Sequence, residues 1–388
     1  MKKISILTAT RAEYGLLKPI IKKLKEISSF DVRVVVTGAH LSPEFGLTYK
    51  EIEQDGIEID EKIEILLSAD TPSAISKSMG LAMISFADYF SKLSPDMLLV
   101  LGDRYETLAV CCSAMNQRIP IAHLYGGETT EGAVDESIRH AITKLSYLHF
   151  TSTEEYRRRV IQLGEQPNRV FSVGAIGIEN ILNEKLMSKT ELETSISFKL
   201  DRPYAVITFH PVTLEDNNSA EQFQALLDAC KNHKNMKFIF SKANADANGR
   251  VINQLLDKFV IENDNAVAFT SLGMVRYLSA LKYSSMVIGN SSSGLVEAPS
   301  FGVPTINIGD RQKGRVQADS VINCEPIKDK IDEAITLALT KEFKDKAYNA
   351  INPYGDGNTS EKIVDAIKSF WLNDKINLKK KFYDCEVK

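Results

Sequence analysis

The chain has 388 residues, enough for two domains, and its 44% hydrophobic and 25% charged residues are the balance of an ordinary globular protein. A formal net charge of −4 gives no reason to expect nucleic acid or an anionic membrane as partner, and no apolar run reaches bilayer length. Five cysteines, two of them adjacent at Cys111-Cys112, form neither a disulfide framework nor a CxxC metal pair, so a reduced, cytoplasmic enzyme is expected.

Short apolar strands alternate with amphipathic helices from the start. Ile4–Leu7 reads as a strand rather than a signal peptide, a helix follows from about Tyr14 to Lys25, and Val32–Val36 returns as a strand. Met97–Leu101, Ile119–Leu124, Leu148–Phe150 and Val170–Val173 repeat the theme, with Cys111-Cys112 in a buried helix. Asn183–Pro203 is more polar and marks a domain junction. A second series runs through Tyr204–Phe209, Phe238–Ser241, Ala266–Thr270, Met286–Ile288 and Pro304–Ile308. The turn-rich Asn352–Asn358 precedes a last helix from about Ser360. Strands this short and apolar, separated by helices, predict parallel sheets covered on both faces. Two doubly wound α/β domains follow, residues 1–180 completed by 360–388, and residues 181–359. Ligands of such sheets gather at strand carboxyl ends, so an active-site cleft between the domains is expected. Arg157-Arg158-Arg159 and Lys379-Lys380-Lys381 are expected on solvated helix faces.

The motifs fall at strand ends. In the first βα turn, Thr8–Gly15 lacks GxGxxG, which removes support for NAD or FAD, and instead sets Arg11 at a helix start, suited to one phosphate. Asp103 and Arg104 end another strand. Gly126 and Gly127 precede Glu128, and glycines there would let backbone approach a ligand closely. Asp135 and Arg139 then share a helix. Carboxylates converging on one pocket raise each other's pKa, which suits acid/base work; singly, each serves equally as a cap or ion-pair partner. In the second domain His210 and Asn244 end strands. Gly289-Asn290-Ser291-Ser292-Ser293 breaks a strand and opens a short helix, whose free N–H groups and serine hydroxyls suit a phosphate. Glu297, one turn on, could accept from both hydroxyls of a ribose, and Arg311 ends the next strand. Together these describe a nucleotide site. No HExxH, CxxC or GxSxG occurs, so neither a metal nor a serine nucleophile is indicated.

These segments, in this order, resemble the UDP-N-acetylglucosamine 2-epimerase family, particularly the hydrolysing branch that feeds bacterial sialic and related nonulosonic acid synthesis. Thr10–Gly15, Thr37–Leu41, Gly102–Arg104, Gly126–Glu128, Asp135–His140, His210-Pro211, the Ser291 region and Gly309–Arg315 carry the likeness across most of the chain. The resemblance implies a GT-B-like fold of two Rossmann-like domains, with the last helix crossing back onto the first domain. It assigns Arg11, His210, Ser291, Ser292 and Arg311 to the diphosphate and Glu297 to the ribose. Asp103, Glu128 and Asp135 become the catalytic carboxylates, with His40, Arg104, Arg139 and Asn244 lining the site. Tyr125 stands where many relatives carry a glutamate implicated in catalysis, and Glu128 is placed to take up that role.

The implied reaction converts UDP-N-acetylglucosamine and water to N-acetylmannosamine and UDP, without metal or redox cofactor, through a 2-acetamidoglucal. A homodimer or homotetramer is the implied assembly, and the UDP-sugar is the one small-molecule partner. The same reaction on UDP-2,4-diacetamido-2,4,6-trideoxyglucose, the legionaminic acid precursor, is the alternative within the family. A GT-B glycosyltransferase would share fold and UDP site but would wait for an acceptor. A nucleotide-sugar sensor would favour neutral groups over clustered carboxylates around the sugar.

Overall fold

Strands that lie in the middle of a parallel sheet meet helices on both faces, and the chain supplies unbroken apolar runs for them: Met97–Leu101 and Tyr204–Thr208 are buried at every position. The structure is a computed structural model describing residues 1–67, 71–129, 134–211, 218–242, 249–373 and 376–385. Two compact units divide the chain. The first comprises residues 1–129, 134–180 and the return segment from Tyr354 onward, and the second runs from Ile181 to Pro353.

The first unit holds β1 (Lys2–Thr8), β2 (Phe30–Thr37), β3 (Glu61–Ile63), β4 (Met97–Leu101), β5 (Ile121–Leu124), β6 (Leu148–Thr151) and β7 (Val170–Ser172). They form one parallel sheet in the order β3-β2-β1-β4-β5-β6-β7, with Ile4 opposite Val32 on one side and Met97 on the other. The second unit holds β8 (Tyr204–Thr208), β9 (Lys237–Ser241), β10 (Ala266–Phe269), β11 (Met286–Gly289), β12 (Thr305–Ile308) and β13 (Val321–Cys324), parallel in the order β10-β9-β8-β11-β12-β13. In both sheets the order reverses once, between β1 and β4 and between β8 and β11. Loops leaving a sheet on either side of such a point diverge and open a crevice. β3 and β13, both edge strands, were not among the predicted elements.

The first helix starts at Arg11, three residues before the predicted Tyr14, because Thr10 and Glu13 form a reciprocal capping box. Pro19 sits inside this helix and has no N–H for the Gly15 carbonyl; Asn180 Nδ2 donates to that carbonyl instead, at 2.9 Å. The return helix Thr359–Asn373 puts Ile363, Ile367 and Phe370 into the first unit's core beside Leu17, Ile21 and Leu24. Each such fully buried side chain contributes about 1.5–3 kcal/mol. Glu179, one of the last residues before the chain leaves this unit, accepts from the backbone N–H and the hydroxyl of Ser360, joining departure to return.

Two expectations about surface charge are corrected. Arg159 donates to the Gly127 carbonyl and to Thr129 Oγ1, both at 2.6 Å, so it fastens a loop rather than facing water. Lys380 lies in the non-helical segment after the last helix and reaches buried Glu165 at 2.7 Å, while donating to the Ser146 carbonyl.

Candidate active site

The crevice between β1 and β4 collects a dense set of acids and arginines. Gly102 takes a left-handed turn after β4 (φ 80°), and Asp103 follows it. Asp103 pairs with Arg139, which is only 3% exposed. Arg139 projects from the helix Val134–Leu145 and also donates to the Glu128 carbonyl at 2.7 Å and to Glu136 Oε2 at 3.0 Å. One guanidinium thus joins the ends of β4 and β5 to the following helix. Such a buried fork satisfies several acceptors in a fixed plane, which lysine cannot reproduce. Asp135, one helical turn before Arg139, has its pKa raised by partial burial and by the negative charge of Asp103. Glu128 accepts from Ser152 Oγ at 2.7 Å.

Arg104 is exposed but already engaged: its Nε bonds Glu106 at 2.5 Å and approaches Glu13 to 3.9 Å, and both acids are buried. Two expectations change here. His40 is fully buried, its ring nitrogens paired with Thr8 Oγ1 at 3.0 Å and Thr48 Oγ1 at 2.8 Å; burial lowers its pKa to about 4, so the ring is neutral and braces the strand ends. The glycines before Glu128 answer to the protein itself rather than to a ligand. Gly127 has φ 80°, and a Cβ there would sit 2.5 Å from the Tyr156 carbonyl oxygen. Arg11, at the first helical position, is exposed and holds Glu51 at 3.1 Å.

Tyr125 has turned away from this cluster. Its backbone is left-handed (φ 68°), its ring packs on the core, and its hydroxyl accepts from the Ile176 N–H at 2.8 Å. No carboxylate stands at that position.

Two acids that the sequence does not mark as site residues, Glu13 and Glu106, also lie here. Glu13 accepts from the N–H groups of Ala9 (2.7 Å) and Thr10 (3.2 Å) through one oxygen; the other is buried without a hydrogen-bond partner. Burial, reinforced by the nearby charge of Glu106, lifts its pKa to about 7, against the opposing pull of the Ala9 amide and Arg104. The spacing Thr10-x-x-Glu13 announces a cap, but nothing local announces Arg104, more than ninety positions away.

In the second unit, the crevice between β8 and β11 is organised by Asn290, also unrecognised in the sequence. Its side chain accepts from the His210 N–H and donates to the His210 carbonyl, both at 2.7 Å, locking the two strand ends together. Its own carbonyl accepts from Arg311 Nη1 at 3.0 Å and Gln312 Nε2 at 2.9 Å. His210, the serine loop and Arg311 are therefore gathered around one residue. The helix beginning in this loop is only four residues long, Ser293–Val296, and starts at the third serine. Glu297 is its C-cap rather than part of a second turn. Ser293 donates to Glu297 Oε2 and contacts the Tyr277 hydroxyl, each at 2.5 Å, and burial raises the Glu297 pKa. Asn244 lies outside the described residues. Among the described residues no set of three histidine, cysteine or acidic side chains is placed to hold a metal ion.

Two doubly wound parallel sheets with their polar groups at the switch points are the hallmark of GT-B-like enzymes, and the structural comparison agrees. The S. aureus MnaA–UDP complex superposes with a TM-score of 0.77 at 22% identity, covering 99% of this chain and 100% of that one. In sequence, the family profile described as UDP-N-acetylglucosamine 2-epimerase matches residues 22–368. The chain is 46% identical, over 88% of its length and 89% of the relative's, to the GDP/UDP-N,N'-diacetylbacillosamine 2-epimerase (hydrolyzing) of Campylobacter jejuni. It is 42% identical, over 99% of its length and 98% of the relative's, to polysialic acid biosynthesis protein P7 of Escherichia coli. The chain belongs to the UDP-N-acetylglucosamine 2-epimerase family, and it is an enzyme.

Proposed function

We propose that this enzyme splits a UDP-linked 2-acetamido sugar into UDP and the free 2-epimer, by elimination followed by hydration. The observation that carries the reading is the acid cluster at the β1/β4 crevice, in which Asp103 and Asp135 flank a buried, fully committed Arg139. The C2–H of the sugar is not acidic by itself. Departure of UDP builds positive charge at C1, and that charge acidifies the neighbouring C2–H. A carboxylate takes the proton as the C1–O bond breaks, leaving a 2-acetamidoglucal. Water then adds its hydroxyl to C1 while a proton is delivered to C2 from the opposite face. Asp135, whose pKa is raised by burial and by the charge of Asp103, takes one acid/base role, and Glu128 takes the second in the absence of a carboxylate at position 125. His210, Ser291, Ser292, Arg11 and Arg311 serve the diphosphate, and Glu297 the ribose.

The substituents at C4 and C6 divide two readings. The sequence alone led to UDP-N-acetylglucosamine, with N-acetylmannosamine as product, for sialic acid-type synthesis. The 46% identity to a hydrolysing diacetylbacillosamine epimerase favours the 2,4-diacetamido-2,4,6-trideoxy sugar, while the 42% identity to a polysialic acid protein keeps the first reading in play. Each substrate is incubated with enzyme in deuterated water, without acceptor, and followed by proton NMR. The preferred substrate releases UDP and a 2-epimer carrying one deuterium at C2. Product with its original C2 hydrogen, or no UDP from either sugar, refutes the reading.

A further inference from the structure

Tyr277, on the helix Gly273–Tyr283, sends its hydroxyl to the serine loop after β11. There it meets Ser293 Oγ at 2.5 Å, and Ser293 in turn donates to Glu297 Oε2 at 2.5 Å. A serine hydroxyl has one proton and two lone pairs. Its proton is spent on the carboxylate, so the Tyr277 O–H is the donor of the other bond. Burial, together with the negative charge of Glu297, raises the Tyr277 pKa, and the phenol keeps the proton it donates. The chain therefore runs one way, from tyrosine to serine to glutamate. Burial works against the ionised form of Glu297, and the Ser293 hydrogen bond opposes that effect.

Neither hydroxyl is needed to build the turn. The N-cap of the short helix is Ser292, and the backbone of Glu297 is held from both sides: its N–H donates to the Ser293 carbonyl at 2.9 Å, and its carbonyl accepts from the Ser300 N–H at 3.0 Å. Thr305 Oγ1 fastens the turn to β12 through the Gly294 carbonyl at 2.7 Å. Gly294 lies so close to that strand that a Cβ would sit 2.8 Å from Thr305 Cγ2. The backbone stands without the relay, so what the relay determines is the orientation of the Glu297 carboxyl. With Oε2 held by Ser293, Oε1 accepts from no group among the described residues, and it is not closed off from solvent. One carboxylate oxygen is thus presented to an incoming donor. An oriented carboxylate with free lone pairs matches the adjacent 2′- and 3′-hydroxyls of a ribose, whereas a 2′-deoxy sugar offers one donor fewer.

We propose that Tyr277 and Ser293 are positioning residues for the nucleoside, fixing the Glu297 carboxyl so that the site selects ribonucleoside over 2′-deoxyribonucleoside diphosphates. The inference rests on the assignment of Glu297 to the ribose and adds the two hydroxyls that act through that acid. A carboxyl free to turn loses rotamer freedom when it takes two hydroxyls at once, and one already held loses less. Without the phenol oxygen, Ser293 Oγ has no donor to set the direction of its own proton, and the carboxyl loses its fixed plane.

Calorimetry of the enzyme with UDP and with 2′-deoxyuridine 5′-diphosphate tests this. The wild type is expected to bind UDP about ten-fold more tightly or better, the scale of one lost hydrogen bond to a charged group. Tyr277→Phe, which removes only the phenol oxygen, should weaken UDP by about three- to ten-fold and change the deoxy ligand less, so that the ratio of the two affinities narrows. Ser293→Ala should act in the same direction, and Ser293→Thr, which keeps the hydroxyl, should retain the wild-type ratio. A site that has merely loosened weakens both ligands alike and shows itself in the melting temperature. A wild type indifferent to the 2′-hydroxyl, a wild-type ratio in both Tyr277→Phe and Ser293→Ala, or equal weakening of both ligands overturns the inference. Glu297→Gln separates it from the reading beneath it. Unchanged UDP affinity in that variant removes the ribose assignment itself, and the relay with it. Weakened binding there, with a wild-type ratio in Tyr277→Phe and Ser293→Ala, removes the relay alone.

Discussion

Replacing Glu13 by Gln should make this protein more stable at alkaline pH, and the size of the gain can be worked from its surroundings. The carboxyl is buried, and its pKa in the folded chain is about 7, against 4.5 for an ordinary glutamate. The folded state therefore binds this proton more tightly than the unfolded state does. The contribution is fully present below about pH 4.5 and is lost as pH rises through 7. At about 1.4 kcal/mol per pH unit, the interval from 4.5 to about 7 corresponds to about 3.5 kcal/mol. Most of it, about 2–3 kcal/mol, falls between pH 5 and pH 8. Gln keeps an oxygen for the N–H groups of Ala9 and Thr10 and removes the titration. Urea unfolding at pH 5, 6.5 and 8, followed by the fluorescence of the single tryptophan, Trp371, reports on the first unit, where that residue packs against Phe30. The variant should gain on the wild type steadily across the series. A difference that stays constant with pH refutes the reasoning, because it would mean that Glu13 is ionised throughout in the folded protein as it is in the unfolded chain.

Other expectations concern the two crevices. Gly289→Ala should destabilise the second unit by about 2–5 kcal/mol: φ is 137°, and the new Cβ would sit 1.9 Å from the Thr208 carbonyl oxygen. A melting temperature within a degree of wild type would contradict it. Glu297→Gln should weaken UDP binding by about 1–3 kcal/mol in calorimetry, through loss of a charged acceptor for the ribose; unchanged affinity would move the ribose elsewhere. Asp135→Asn should lower kcat by about 10²–10⁴-fold while leaving UDP affinity within a few-fold. Equal turnover by the variant would remove Asp135 from the acid/base roles.

The fold was legible because the central strands are long apolar runs with no competing interpretation: Met97–Leu101 and Tyr204–Thr208 occupy the positions expected of them. The edges were not. Glu61–Ile63 and Val321–Cys324 meet a neighbour on one side only, carry half-buried and exposed positions, and so lack the continuous pattern by which an interior strand is recognised. The early start of the first helix was written in Thr10 and Glu13, but helix periodicity begins only where apolar residues recur, at Tyr14, and that later signal dominated.

Within the candidate site, the sequence disclosed which residues stand at strand ends but not which of them face one another. Arg104 and Arg139 look alike in the chain, yet Arg139 joins Asp103 to the β5 loop while Arg104 lies between Glu106 and Glu13. Asn290 reads as a strand breaker beside Gly289, and its bidentate grip on His210 depends on β8 and β11 being neighbours, a fact of topology. Glu13 makes the general point most sharply. A glutamate at the third position of a capping box accepts the same backbone N–H groups whether it lies in water or in the core, so its local sequence is identical in the two cases. What separates a plain cap from an acid titrating near neutrality is the loss of water around it and the second carboxylate of Glu106, and both arrive from a strand and a helix almost a hundred residues away. Local motifs therefore locate the chemistry of this enzyme, while the protonation states that chemistry depends on are set by which strand ends the sheet order brings together.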